Sequence, residues 1–139
     1  MANLSAGSRT AAVLLAMAST LPAATPASAE PQRQRCTAGV ARNGPMETTV
    51  YYGNSAGSAD SGCDHILAIW GKYEHGSWGE FTFWGPNGHI DTTKRELWPR
   101  GSSAGYGYGL PLPRRVGGQL WCAAFRNDGR IFGQACVTS

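Results

Sequence analysis

With 139 residues, the chain can bury one hydrophobic core unaided. Its 12 Lys and Arg against 9 Asp and Glu give a formal net charge of +3, and no basic stripe is present. Arg33, Arg35 and Arg42 cluster, but such a group reads as a solvated tail, which argues against nucleic acid as a partner.

The first feature in chain order is a polar stretch with one cation, Arg9, running into the apolar segment from Ala11 to Ala18 and breaking at Pro22. That layout is a signal peptide. Ala27-Ser28-Ala29 fits the small-x-small cleavage rule, so residues 1–29 are expected to be removed and residues 30–139 to form one secreted β domain. The apolar run falls short of the roughly 20 residues a membrane-spanning helix needs, and no second candidate span follows. An extracellular protein without a membrane anchor is expected. Its Ala-rich, Pro-broken presequence resembles those of high-GC Gram-positive bacteria. Loss of Arg9 leaves 11 basic against 9 acidic side chains.

All four cysteines, Cys36, Cys63, Cys122 and Cys136, follow the predicted cut. An even count in a small secreted chain reads as a two-bridge framework. Zinc is disfavoured, since no C-x-x-C pair occurs and the three histidines sit at unrelated offsets.

No window carries apolar residues at helical spacing for more than a turn, so helix is scarce. Strands are predicted over Thr48–Tyr52, His65–Tyr73, Trp78–Trp84, His89–Thr93, Gln119–Arg126 and Arg130–Val137, each bounded by Gly, Pro, Asn or Asp. The fold class is all-β, a small antiparallel sandwich or barrel with two disulfides. His65–Tyr73 is apolar on both faces, with Leu67, Ile69 and Tyr73 on one and Ile66, Ala68 and Trp70 on the other, as for a central strand covered on both sides. The Gly- and Tyr-rich stretch 101–109 reads as a loop.

Two hairpins carry most of the inference. The first turns at Gly85-Pro86-Asn87-Gly88, so Trp84 should face His89, Thr82 should face Asp91, and Glu80 should face Thr93. Alternation then buries Phe81, Phe83 and Ile90 and gathers Trp78, Glu80, Thr82, Trp84, His89, Asp91 and Thr93 on the opposite side. The second turns at Asn127-Asp128-Gly129. With residues 128–130 as its loop, Trp121, Ala123, Phe125, Ile131, Ala135 and Val137 share an apolar face and Cys122 falls opposite Cys136. Cross-strand Cβ atoms lie about 4.5–5.5 Å apart, near enough to bridge. Cys122–Cys136 with Cys36–Cys63 is therefore the favoured connectivity, and a one-residue slip would undo it.

Three functions compete. A binding module would use Trp78, Glu80, Trp84, His89 and Asp91 to recognise an extracellular glycan or protein, since indoles offer an apolar body and carboxylates and imidazole can bond hydroxyls. A protease inhibitor would use the stiff segment from Leu110 to Val116, with Arg114 or Arg115 filling a specificity pocket. A small secreted hydrolase would need His89, Asp91 and Glu80 for acid–base work, yet an exposed sheet supplies neither burial nor a wall against water. Asp64-His65 and Glu74-His75 are adjacent pairs expected to point to opposite faces of a strand. No G-x-S-x-G, H-E-x-x-H or phosphate-binding glycine loop is present, and Ser61 and Ser77 read as turn residues. The expectation is a monomeric binding protein with no catalytic residue, no metal and no cofactor, with the inhibitor as runner-up.

Overall fold

The computed structural model describes residues 35–139, so the predicted export segment and its cleavage position lie outside the described residues. Nine strands form there: β1 Gly39–Asn43, β2 Met46–Gly53, β3 His65–Tyr73, β4 Ser77–Gly85, β5 Gly88–Thr92, β6 Glu96–Trp98, β7 Ser102–Gly107, β8 Leu120–Asn127 and β9 Arg130–Thr138. They make two antiparallel sheets, β1-β2-β3-β7 and β5-β4-β8-β9, with β6 paired to β4. No helix long and apolar enough to cross a membrane occurs among the described residues.

The two sheets meet over an aromatic and aliphatic core. Phe81, Phe83 and Phe125 from the second sheet are fully buried against Met46, Val50, Ile66 and Ile69 from the first. The sheets approach closely where β3 carries Gly71, since a Cβ there would lie 2.7 Å from Met46 Cε and 2.9 Å from Ala123 Cβ. One buried polar group joins them. Thr48 of β2 donates its hydroxyl to the Ala135 carbonyl (2.8 Å) and accepts from the Ala123 N–H (3.2 Å). Thr48→Val keeps the volume and removes both bonds, and is expected to cost about 1–3 kcal/mol in urea unfolding. A change within about 0.3 kcal/mol would show that the hydroxyl does not hold the sheets together.

Both disulfides form, joining Cys36 to Cys63 and Cys122 to Cys136. The second spans directly opposed residues of β8 and β9 with Cα atoms 4.0 Å apart, at the narrow spacing of a pair that exchanges no backbone bonds.

Several elements differ from the sequence reading, each for a local reason. The turn between β8 and β9 is tighter than a three-residue loop, because Asp128 and Gly129 both adopt positive φ (49° and 74°) and Asn127 pairs with Arg130. A register shift then passes over Phe132, since Phe125 pairs with Gly133 and Arg126 with Ile131. The shift restores the cysteine register but turns Ile131 out of the apolar face, leaving it 55% exposed. The stretch 101–109 is not a loop throughout. Ser102–Gly107 is β7, paired along β3, with Ala104 and Tyr106 packed on the core and Ser103, Gly105 and Gly107 at the outward positions. Strands β1 and β6 were also unforeseen. Finally, β3 is not covered on both faces. Tyr51 pairs with Ala68 but Tyr52 with Ile66, a bulge at Leu67 that brings Ile66 to the buried side. Trp70 stays on the outer face and is 43% exposed.

Candidate functional site

The first hairpin does not assemble the expected surface. Trp84 pairs with His89, but Phe83 then pairs with Asp91 and Thr82 with Thr92, so Ile90 is an extra residue on β5. Ile90 packs against the core, and accommodating it shifts every later residue by one place. Asp91 therefore sits opposite Phe83 instead of Thr82. Thr92 takes its place, with its Oγ1 2.8 Å from His89 Nε2 and 3.3 Å from Thr82 Oγ1. Thr93 does not meet Glu80 either. Its N–H donates to the Phe81 carbonyl and its hydroxyl accepts from the Phe81 N–H, both at 2.9 Å, while Glu80 pairs with Arg126. Trp78 lies opposite Leu97 of β6, six residues from Trp84 and so about 20 Å along the strand. Of the five residues expected to act together, the fold juxtaposes Trp84 and His89.

The Pro-rich segment is a strap, not a free loop. Its backbone is paired to the start of β3, with Ile66 N–H donating to the Pro113 carbonyl (2.8 Å) and Arg115 N–H to the Asp64 carbonyl (2.7 Å). Arg115 lies over the Tyr52 ring at 4.0 Å, and Arg114 Nη2 is 3.9 Å from Asp64 Oδ2.

Asp64 and His65 are not separated as alternation implied, because Asp64 precedes β3. His65 Nδ1 lies 3.0 Å from Asp64 Oδ1. This hydrogen bond, reinforced by Arg114, holds the Asp64 carboxyl below its usual range. Among the described residues no hydroxyl or thiol hydrogen-bonds the other ring nitrogen. Among the described residues no three His, Cys, Asp or Glu side chains cluster as metal ligands.

The outer face of the first sheet holds the surface that best suits ligand contact. Alternation on β2 and β3 brings Glu47, Thr49 and Tyr51 outward beside Ala68, Trp70 and Lys72, in the register Glu47 to Lys72, Thr49 to Trp70 and Tyr51 to Ala68. Tyr51 and Trp70 are thus diagonal neighbours, within reach of aromatic side chains. On the other flank Trp70 pairs with Gly105 of β7. A Cβ on Gly105 would lie only 2.4 Å from Trp70 Cδ2 and 2.5 Å from Cε2, so the indole lies across the space left by the missing side chain. Trp70 remains 43% exposed. Tyr51 is 44% exposed, and a shallow cleft of about 160 Å³ runs between the two rings and Glu47, Thr49, Lys72 and Ser103.

Charges along this face are matched in pairs. Arg42 bonds Glu47, and Lys72 Nζ is 2.9 Å from Glu74 Oε1. The bond from Lys72 keeps the Glu74 carboxyl below its usual range. Two aromatic rings bordered by hydroxyls and neutralised ion pairs favour an uncharged ligand with apolar faces and polar edges.

Sequence reasoning placed Trp70 in the core because the bulge at Leu67 was invisible. The available signal was Lys72, two residues on and therefore on the same face as Trp70. No protein-family model matches the chain, and neither a curated protein nor a solved structure gives a significant match.

Proposed function

We propose that this chain is an extracellular glycan-binding protein that holds a sugar polymer on the outer face of its first sheet. The observation that carries the reading is the Trp70 indole seated on Gly105 beside exposed Tyr51. Pyranose rings with equatorial substituents present flat C–H faces that stack on such a ring, while their hydroxyls reach Thr49, Ser103, Glu47 and Lys72 at the border. Two disulfides and the export segment read from the sequence support action outside the cell. A single pyranose covers one ring at most, so one sugar binds weakly and a polymer that reaches both Trp70 and Tyr51 is held more firmly.

The test is retention of the purified protein on insoluble cellulose and chitin. Trp70→Ala is expected to lower the partition constant about tenfold, the equivalent of 1.4 kcal/mol. Gly105→Ala, which displaces the indole without touching the core, should act in the same direction. Trp84→Ala on the other sheet should leave retention unchanged, and all three variants should keep a cooperative urea transition with the parent's slope. Equal retention of Trp70→Ala and the parent protein removes this face from the account.

A further inference from the structure

An antiparallel sheet ends in strands whose outer backbone groups lack a partner, and stable folds protect such edges with short length, a charge, a proline or a bulge. Most edges of this protein carry one of these devices. Strand β1 bears Arg42, β5 holds the extra residue Ile90, β6 is three residues long, and β9 is bulged at Phe132. Strand β7 carries none. Its six residues, Ser-Ser-Ala-Gly-Tyr-Gly, include no charge and no proline, and they pair with β3 in unbroken register from Tyr73–Ser102 to Ala68–Gly107.

Alternation along the ladder shows which of its groups are unused. The Tyr108 N–H donates to the Leu67 carbonyl (2.9 Å), so Tyr106 and Ala104, at every second position before it, also turn their backbone groups toward β3. Ser103, Gly105 and Gly107 turn theirs away. All three are exposed, and among the described residues no other strand pairs with this edge and no loop backbone bonds it. Shape narrows the choice of partner. The Trp70 indole lies across Gly105, which leaves an added strand little room for a side chain opposite that glycine. Strand β7 itself meets the requirement. Laid antiparallel about a two-fold axis, Gly105 faces Gly105 of the second copy and Ser103 faces Gly107, so every outward N–H finds a carbonyl and no like charges oppose one another.

We infer that two copies of this chain pair through β7, joining their four-stranded sheets into one continuous sheet. The facing glycines lie about 5.5 Å apart at Cα, and each carries its own Trp70 indole, so both Tyr51 and Trp70 surfaces fall on the same side of the joined sheet. The second copy thereby contributes a second aromatic pair to the ligand surface. That consequence rests on the glycan-binding reading, whereas the pairing itself does not. Two linked surfaces on one polymer raise retention through effective concentration. A single strand pair buries less than the roughly 1,200 Å² at the low end of standard interfaces, so association is weak and concentration-dependent. The monomer expected from the sequence is then the dilute state.

The test is sedimentation equilibrium of the purified, disulfide-bonded protein without sugar, up to about 1 mM, the range of weak specific association. Amide hydrogen exchange is measured in parallel at high and low concentration. The apparent mass should rise from monomer toward dimer, and the Ser103, Gly105 and Gly107 amides should gain protection as it does. Gly107→Pro removes an outward N–H and no bond to β3, and a Cβ there meets nothing within 4 Å. It should weaken association at least about tenfold. Gly107→Lys leaves the backbone intact and adds a charge to the edge, so it should act in the same direction, and it decides if the proline variant does not fold. Both variants keep Tyr51 and Trp70, so cellohexaose should still bind while retention on insoluble cellulose falls. A monomer at every concentration, a dimer whose β7 amides exchange freely, or association unchanged in both variants would each overturn the pairing. A dimer with protected β7 amides that binds no sugar supports the pairing and removes the glycan-binding reading.

Discussion

Truncation of Phe125 to alanine is expected to destabilise the protein by about 3–5 kcal/mol, the range for emptying an aromatic position in a core that cannot collapse. Phe125 has no exposed surface. Its ring stacks on Tyr73 of the first sheet at 4.3 Å and 6° and meets Phe81 of its own sheet edge-on at 5.1 Å. It therefore bridges the two layers. Its strand neighbours on the buried face include Ala123, too small to fill the space. Urea unfolding should show a lower midpoint with an unchanged slope. Phe132→Ala provides the contrast, because Phe132 sits in the bulge of β9 and is 47% exposed. Its effect should be within about 0.5 kcal/mol. A Phe125→Ala cost under 1 kcal/mol would mean that the sheets are not packed through this ring.

Replacing Cys36 and Cys63 together by alanine is expected to cost about 3–4 kcal/mol, and replacing Cys122 and Cys136 about 2–3. The chain-entropy argument makes the difference, since the bridges close loops with sequence separations of 27 and 14 respectively, and the longer loop loses more freedom when closed. Architecture points the same way. Cys122 and Cys136 are already held opposite one another by the β8–β9 ladder. Cys36 precedes β1 and is otherwise fixed by a backbone bond to the Ala59 carbonyl (2.8 Å). Paired double variants, unfolded in urea without reductant, give the comparison directly. Hydrogen exchange should accelerate at Cys36 to Ala38 and in the β2–β3 connection for the first pair only. A larger loss from the hairpin bridge would show that local strand pairing, and not loop closure, sets the stability.

The legible part of this fold is the part where bulky side chains alternate without interruption. Phe81 and Phe83 on β4, with Trp121, Ala123 and Phe125 on β8, read directly as buried, and Cys122 falls opposite Cys136 because the expected three-residue loop uses up as many residues as the tight turn plus the bulge at Phe132. Bulges defeated the rest. An extra residue at Leu67, Ile90 or Phe132 inverts the side-chain order beyond it, and whether the chain inserts one depends on packing against distant residues. That is why Trp70 looked internal, why Asp91 looked close to His89, and why Ile131 looked buried. Strand β7 was concealed differently, because its outward positions include glycines where the Trp70 indole lies. A stretch that composition marks as flexible is a strand whose missing side chains make room for a neighbour.

The glycan-binding account is tested most directly by backbone and indole NMR mapping with a soluble gluco-oligosaccharide, such as cellohexaose. Shifts should converge on the Trp70 indole, Thr49, Tyr51, Lys72 and Ser103, and vanish in Trp70→Ala while the remaining spectrum holds. Shifts centred on Trp78, Glu80 and Trp84, or none at any soluble concentration, would contradict it.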